Sequence, residues 1–297
     1  MPDIPQHHMR SVPVDGGSVR VRVDDSDLKP MFLIHGGPGV TDYLSKAFGP
    51  PLRDAGYRPV GIIQRGCPGS PSDGPFTVQA NSDDIEAVRR ELDEVLGGFE
   101  KIGLLAHSWG GFLAAYYASQ HLERVERLML ICPMGPRGGW QEERDAALWE
   151  RLGPEGQEKL RHLDAHLEGL SHPSEDEVNS HYAQRYALLN QGYFAPSNAA
   201  GKPGLAAFSW PVHRDTTASV EKLYGETGWF LDLKQLDRPV YQIGGAEDAM
   251  PASIGDMWME VLPSHAKHVR IPECGHFPWM EKADAFQSVL SEFLREK

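Results

Sequence analysis

The segment Ala106-His107-Ser108-Trp109-Gly110 places a serine in a turn of mostly small residues, between a short apolar run and an alanine-rich one. A serine on a sharp strand-to-helix turn is presented for nucleophilic attack, and such a turn accepts only small flanking side chains. The hydroxyl is a weak nucleophile by itself. It needs a base within about 2.6 to 3.2 Å and N–H donors aimed at the oxyanion that forms on the attacked carbonyl. His276, in Cys274-Gly275-His276-Phe277-Pro278-Trp279, follows the last strand-like run and precedes a C-terminal helix, so it falls on a loop suited to proton transfer. Asp248 ends Gly244-Gly245-Ala246-Glu247-Asp248, directly after another strand-like run, and is the acid expected to orient that histidine. Adjacent Glu247 is the second choice, with its side chain expected to face elsewhere. The expected oxyanion donors are the backbone N–H groups of Trp109, at a helix start, and Gly37, in His35-Gly36-Gly37-Pro38-Gly39.

These parts together imply acyl transfer to water: Ser108 attacks a carbonyl, His276 takes the proton, and the Gly37 and Trp109 N–H groups hold the oxyanion. No metal or cofactor is required by this chemistry. Cys67, Cys132 and Cys274 are odd in number, widely spaced and without zinc-ligand spacing, and are expected to be buried free thiols. His35 and His107 are fixed by the turns they belong to and read as structural supports.

The elements that must position these groups are legible in the hydropathy pattern. Val19–Val23 alternates like a half-exposed edge strand, whereas Met31–Ile34 and Val60–Ile63 are continuous apolar runs that suit a buried parallel sheet. Ser82–Leu96 has a helical period and closes on Gly97 and Gly98; Lys101–Ala106 is the next strand, Trp109–Ser119 the next helix and Val125–Ile131 another strand. Pro239–Ile243 and Val269–Ile271 resume the strands, and Ala283–Leu294 is a terminal amphipathic helix. The fold class is therefore α/β, a doubly wound and mostly parallel sheet. Between Gly135 and Leu236 the alternation fails. The sequence there is helix-forming, charged and Trp-rich, broken by Pro154, Pro173, Pro196, Pro203 and Pro211. The expected division is a core of residues 1–134 and 237–297 with an inserted, mainly helical cap of residues 135–236.

Composition narrows the partners. A chain of 297 residues with 40% apolar content can bury one sizeable core. A net charge of -13, from 29 basic and 42 acidic residues, excludes the basic footprint of nucleic-acid binding and docking on anionic lipid. The first ten residues, with Pro2, Pro5, His7 and His8, lack the apolar stretch of a secretion signal, and no apolar run approaches the roughly 20 residues of a membrane span. The expectation is a cytoplasmic protein with a small-molecule or short-peptide substrate; the sequence does not speak to oligomeric state.

These residues resemble the α/β-hydrolase superfamily and, within it, the prolyl aminopeptidase (proline iminopeptidase) branch. His35-Gly36-Gly37-Pro38-Gly39 is similar to that branch's HGGPG signature, Gln64-Arg65-Gly66-Cys67 to its QRG segment, and Ser108-Trp109-Gly110 to its SWG. Asn81-Ser82-Asp83-Asp84-Ile85-Glu86 with Arg89 resembles its helix before the serine turn, and Gly275-His276 with Glu281 its histidine loop. The chain order serine, aspartate, histidine is the one used by this fold. The sequence departs at Ala106-His107, where two glycines are usual, at Ile63, where an aspartate is usual, and at Pro68, which lengthens a loop. The resemblance implies an aminopeptidase whose cap carboxylates hold the substrate's amine, since a buried ammonium needs a paired charge. Glu142, Glu143, Glu150, Glu221 and Glu226 are the available acids, and Trp149-Glu150 echoes the family's Trp-Glu cap sequence. Gly36, Trp149, Glu150 and Phe277 are accordingly the candidate substrate contacts. Trp140, Trp149, Trp210, Tyr182, Tyr186 and Phe194 are available to line an apolar acyl pocket. Esters, lactones or thioesters are the alternative substrates, because one site geometry serves any activated carbonyl. A ligand-binding sensor on a hydrolase scaffold is the alternative of another class. Ser108 at the turn disfavours epoxide or haloalkane chemistry, which uses a carboxylate nucleophile.

Overall fold

The computed structural model describes residues 8–24, 26–197, 207–226 and 228–296. Pro2, Pro5, His7 and Pro203 lie outside the described residues. Eight strands form one sheet: β1 (His8–Val14), β2 (Gly17–Val23), β3 (Lys29–Ile34), β4 (Tyr57–Ile63), β5 (Ile102–His107), β6 (Val125–Ile131), β7 (Val240–Gly245) and β8 (Lys267–Ile271). Their order is β1-β2-β4-β3-β5-β6-β7-β8, with β1 and β2 antiparallel to their neighbours and every pair from β4 to β8 parallel. The central strands β3, β4 and β5 are apolar almost throughout because helices cover both faces.

The helices divide between those faces. α1 (Leu44–Asp54) and α9 (Ala283–Arg295) pack on one side, where Leu44, Phe48, Phe286 and Leu290 meet Leu33, Leu105 and Tyr241. α2 (Val78–Leu96), α3 (Trp109–Gln120) and α7 (Ser253–Val261) pack on the other, with Ile85, Val88, Phe112 and Trp258 against Phe32, Leu104 and Leu128. α2 begins four residues before the period in the sequence suggests, because Thr77 caps it: its Oγ1 accepts from the Ala80 N–H at 3.1 Å.

Val19–Val23 does alternate, with Val19, Val21 and Val23 buried, but β2 is not an edge. β1 covers it through seven paired positions. The polar sequence of β1 concealed this, since an edge strand exposes one face and needs only Val12 in the core. α1 was also hidden, by Pro50 and Pro51 inside it.

Between β6 and β7 lie α4 (Gln141–Glu168), α5 (Glu175–Asn190) and α6 (Trp210–Tyr224). α4 is two helices joined at a kink where Gly153 takes φ 62° and Pro154 follows. α5 starts with a capping box between Ser174 and Glu177. Apart from its buried His181, α5 is amphipathic only weakly, and this helical layer sits over the carboxyl ends of the parallel strands. The short α8 (Pro278–Glu281) follows β8 and leads into α9. No helix of the described residues is long and apolar enough to cross a membrane.

Candidate active site

Ser108, Asp248 and His276 each follow the carboxyl end of a parallel strand, β5, β7 and β8 respectively, the position where open α/β sheets gather their ligands. Ser108 takes φ 56° and ψ −122°, a conformation that a side-chain-bearing residue adopts only under constraint, at a cost of roughly 1–3 kcal/mol. The constraint is visible. The Ser108 N–H donates to the Ile131 carbonyl at 3.0 Å, while its own carbonyl accepts from Gly111 and Met134 at 2.9 and 3.1 Å. Gly110 allows the tight approach of α3 to β3, since a Cβ there would lie 2.1 Å from the Ile34 carbonyl oxygen. Ala106 is fully buried in β5 and fits without a glycine.

His276 Nδ1 lies 2.7 Å from Asp248 Oδ2. A carboxylate only accepts, so Nδ1 carries the proton and Nε2 is left with its lone pair. Asp248 Oδ1 accepts from the Met250 N–H at 2.9 Å, which fixes the carboxylate plane. Glu247 faces away, accepting from the Ser197 hydroxyl at 3.1 Å on the surface. The His276 loop is held by Glu281, whose carboxylate accepts from the backbone N–H groups of Gly275, Phe277 and Ala195 at 2.8–3.0 Å.

A second buried network lies beneath the serine. The Gly36 N–H donates to the Tyr43 hydroxyl at 2.9 Å, and Tyr43 donates to His107 Nδ1 at 2.5 Å. His107 Nε2–H in turn donates to the His276 carbonyl at 2.9 Å, which fixes its tautomer. Burial and the neighbouring His276 push the His107 pKa well below its usual value, so its ring is neutral. Gln64 joins the other side: its side-chain amide donates to the His35 carbonyl at 2.7 Å and accepts from the Trp109 indole at 2.7 Å. Arg65 is paired with Asp84 through two side-chain hydrogen bonds and also donates to the Pro75 carbonyl at 3.1 Å. Tyr43, His107, Gln64 and Glu281 thus align the two loops that meet at Ser108.

Ser108 and His276 open into a cavity of about 640 Å³ between the sheet and the helical layer. Gly37, Pro38 and Phe277 line it on the sheet side, and Trp140, Arg144, Tyr186, Asn190, Tyr193 and His213 on the helical side. The Trp109 N–H, in the first turn of α3, has no hydrogen-bond partner among the described residues, and such groups at a helix start are open to ligands. Tyr193 packs its ring 4.7 Å from that of His276, and its carbonyl accepts the His276 N–H at 2.9 Å. Arg151 ties the layers further, donating to the Gly192 and Asp248 carbonyls at 3.0 and 3.2 Å.

Several expected contacts are not brought to the cavity. Trp149 is 40% exposed on α4, with the Arg161 guanidinium over its ring, and Glu150 is exposed beside it. Glu142, Glu143, Glu221 and Glu226 are likewise exposed, each on the solvent side of its segment. Gly36 is a spacer, since its N–H is taken by Tyr43 and a Cβ would lie 2.5 Å from that hydroxyl. Of the aromatic candidates Trp140 and Tyr186 line the cavity; Tyr182 stacks on Trp210 instead, and Phe194 on Phe277.

The three cysteines are buried free thiols, and burial raises the pKa of Cys67 and Cys274 to about 12. Cys132, Asp248 and His276 place their ligand atoms within 4.8 Å of one another. Desolvation keeps the Cys132 thiol protonated, and Asp248 and His276 are already bonded to each other, so the trio fits a hydrogen-bonded cluster better than a metal site.

Comparison with known proteins agrees with this architecture. The family described as alpha/beta hydrolase fold matches residues 29–154. A proline iminopeptidase of Lactobacillus delbrueckii subsp. lactis is 24% identical over 283 residues, covering 93% of each chain. Among solved structures, a proline iminopeptidase of Mycobacterium smegmatis superposes with a TM-score of 0.64 at 20% identity over 97% of each chain. A thermophilic esterase of Thermogutta terrifontis gives 0.67 at 21% over 98% of each. The sheet order, the matching family and these relatives agree: the chain has the α/β-hydrolase fold and is a hydrolase, similar along nearly its whole length to proline iminopeptidases.

Proposed function

We propose that this hydrolase works through an acyl-enzyme on Ser108. The observation that carries the proposal is a serine held at φ 56° in the same cavity as a histidine whose Nδ1 is fixed 2.7 Å from a carboxylate. Ser108 Oγ bonds to the substrate carbonyl carbon as its proton passes to His276 Nε2. Asp248 stabilises the imidazolium that results, and the N–H groups of Gly37 and Trp109 hold the oxyanion. The proton then leaves with the departing amine or alcohol. Water, deprotonated by His276, releases the acyl group. Residues 135–236 serve as a cap, closing the cavity over the serine and excluding bulk water. The cytoplasmic location expected from the sequence belongs to the same reading and is checked by cell fractionation.

The lining favours a small acyl substrate with an ester or activated amide, because most of its surface is apolar or aromatic. Likeness to the proline iminopeptidases supports a second reading, cleavage of short peptides with a free N-terminus. The test is labelling with a fluorophosphonate probe, followed by aminoacyl anilides, N-blocked anilides and acyl esters. Labelling of wild type but not Ser108→Ala, with turnover of either class, is expected. Equal labelling of Ser108→Ala overturns the nucleophile assignment. Tight ligand binding without labelling or turnover points to the sensor reading instead.

A further inference from the structure

We propose that Arg144 determines specificity in the cavity and that the substrate carries, besides its scissile carbonyl, a carboxylate or similar anionic group. This rests on the serine-hydrolase reading above. The charged residues among the described lining are Arg144, within the helical layer, and Lys46, which is exposed on α1. Carboxylates are absent from that lining. Residues 198–206, which the structure does not describe, contain one charged residue, Lys202, and no acid.

The guanidinium is held in place. Its Nε and Nη2 both lie on Asp145 Oδ1, at 2.8 and 2.7 Å, and its plane covers the Trp140 ring at 5.0 Å from the centroid. It shares the cavity wall with Tyr193, the residue whose ring packs on His276. Asp145 is 63% exposed while Arg144 is 24% exposed, so the countercharge stays in water and screens the cavity face of the guanidinium only in part. An arginine pinned along one edge presents its remaining N–H groups in a planar fork that matches a carboxylate. Nearby Asn190 and Tyr186 add neutral polar groups to the same wall. His213 donates Nδ1–H to the Pro38 carbonyl at 3.0 Å, and burial holds it neutral, so it adds no opposing charge.

The same wall is unfavourable for an ammonium. A free N-terminus in this cavity would meet a guanidinium and no acid, the reverse of the pairing that a buried amine requires. Preference for an anionic substrate therefore separates this chain from aminopeptidase chemistry at the level of a single residue.

The experiment compares 4-nitrophenyl butyrate, 4-nitrophenyl hemiglutarate, 3-carboxyphenyl butyrate and alanine 4-nitrophenyl ester on wild type, Arg144→Met and Arg144→Lys. One of the two anionic esters is expected to exceed the neutral ester at least about tenfold in kcat/KM, and which one it is locates the charge on the acyl or the leaving side. The alanine ester is expected to be the poorest substrate. In Arg144→Met the KM of the preferred anionic ester should rise roughly 30-fold, the size expected for truncating one partner of a desolvated charge pair, and its advantage over the neutral ester should collapse. Arg144→Lys, which keeps the charge without the fork, should recover part of it. A wild type that prefers the neutral or alanine ester overturns the proposal, as does an Arg144→Met that lowers all four esters equally through kcat. Ester turnover with Ser108 labelling but no anionic preference sinks this inference alone; absence of both turnover and labelling sinks the hydrolase reading with it.

Discussion

The two walls of the cavity are built differently. On the sheet side, each chemical group is fixed by backbone at a strand end and by buried partners: Ser108 by its turn, His276 by Asp248 and Glu281, and the intervening loops by Tyr43, His107 and Gln64. On the helical side, Trp140 precedes a kinked helix, Arg144 lies in its first turn, and Tyr186 and Tyr193 come from a second helix and the turn that follows it. The fully buried side chains there are few, and the layer is tied to the sheet by bonds such as Arg151 to Asp248. Rigid placement is what a reaction centre needs, because a displacement of about 1 Å can cost two orders of magnitude in rate. A wall that selects substrates can vary its side chains while that centre stays constant.

The largest effect that could break this comparison is at the serine itself. Ser108→Ala should lower kcat by at least about 10⁴-fold while leaving the unfolding midpoint near that of wild type, since the hydroxyl has no hydrogen bond among the described residues that holds the fold. Steady-state kinetics on the best ester, paired with circular-dichroism melts, reads both. Near-normal turnover by the folded variant would move the nucleophile away from the sheet wall altogether. Asp248→Asn comes next. It keeps the shape but can stabilise the wrong histidine tautomer, and should cost about 10³–10⁴-fold in kcat, against less than about threefold for neighbouring Glu247→Gln. Equal losses from the two would mean that the observed 2.7 Å contact is not what orients His276.

What the sequence disclosed follows the same division. Ser108, Asp248 and His276 stand where strand-like runs end, and strands in a parallel sheet announce themselves by unbroken apolar residues, so the order of elements placed them. Tyr43 and His107 did not stand out as a relay because their partners are distant in the chain: the Tyr43–His107 bond spans 64 residues and His107–His276 spans 169. Arg144 was less legible still. It sits among other charged residues of α4, and nothing in Gln141-Glu142-Glu143-Arg144-Asp145 marks which one turns inward; that is settled by the packing of α4 on Trp140 and Tyr193. Trp149-Glu150 was misleading for the same reason, because an echo of a motif on a surface helix carries no information about the face it occupies. β1 was hidden by its polarity, as edge strands are.

Stability should sharpen the contrast at intermediate size. Glu281→Gln weakens three backbone hydrogen bonds to a carboxylate and should cost about 2 kcal/mol in urea unfolding, with kcat falling because the His276 loop loosens. An unchanged stability would mean that the loop is held by its own packing. Buried His35 and His107 add a pH dependence of known sign. Burial holds both native pKa values below the usual 6.5, so on acidification the unfolded chain takes up protons first. Their contribution to stability is complete above about pH 6.5 and is lost as the pH falls toward the native values. Unfolding at pH 7.5 and 5.5 should show the drop, and His107→Gln should make it shallower. A drop of the same size in that variant would assign the dependence to His35 or to other groups rather than to His107.

The smallest expected effect tests the helical side from the outside. Glu150→Gln and Trp149→Ala alter exposed residues of α4 that do not line the cavity, and each should change kcat/KM for esters and anilides by less than about twofold. The result bears on substrate class as much as on those two residues. If Glu150→Gln selectively raised the KM for free-amine anilides while sparing N-blocked ones, α4 would have to turn its acidic face inward during turnover. The kink at Gly153 gives that helix a place to bend, with Arg151 beside it pinned to the Asp248 carbonyl. Such a rotation would carry Arg144 away from the cavity as it brought Glu150 in, since both lie on the same straight segment of α4, six residues apart, which sets their side chains roughly 120° from each other around the helix axis. The two side chains therefore cannot both face a bound substrate unless the segment unwinds, and a selective amine effect at Glu150 would count directly against the anionic preference assigned to Arg144.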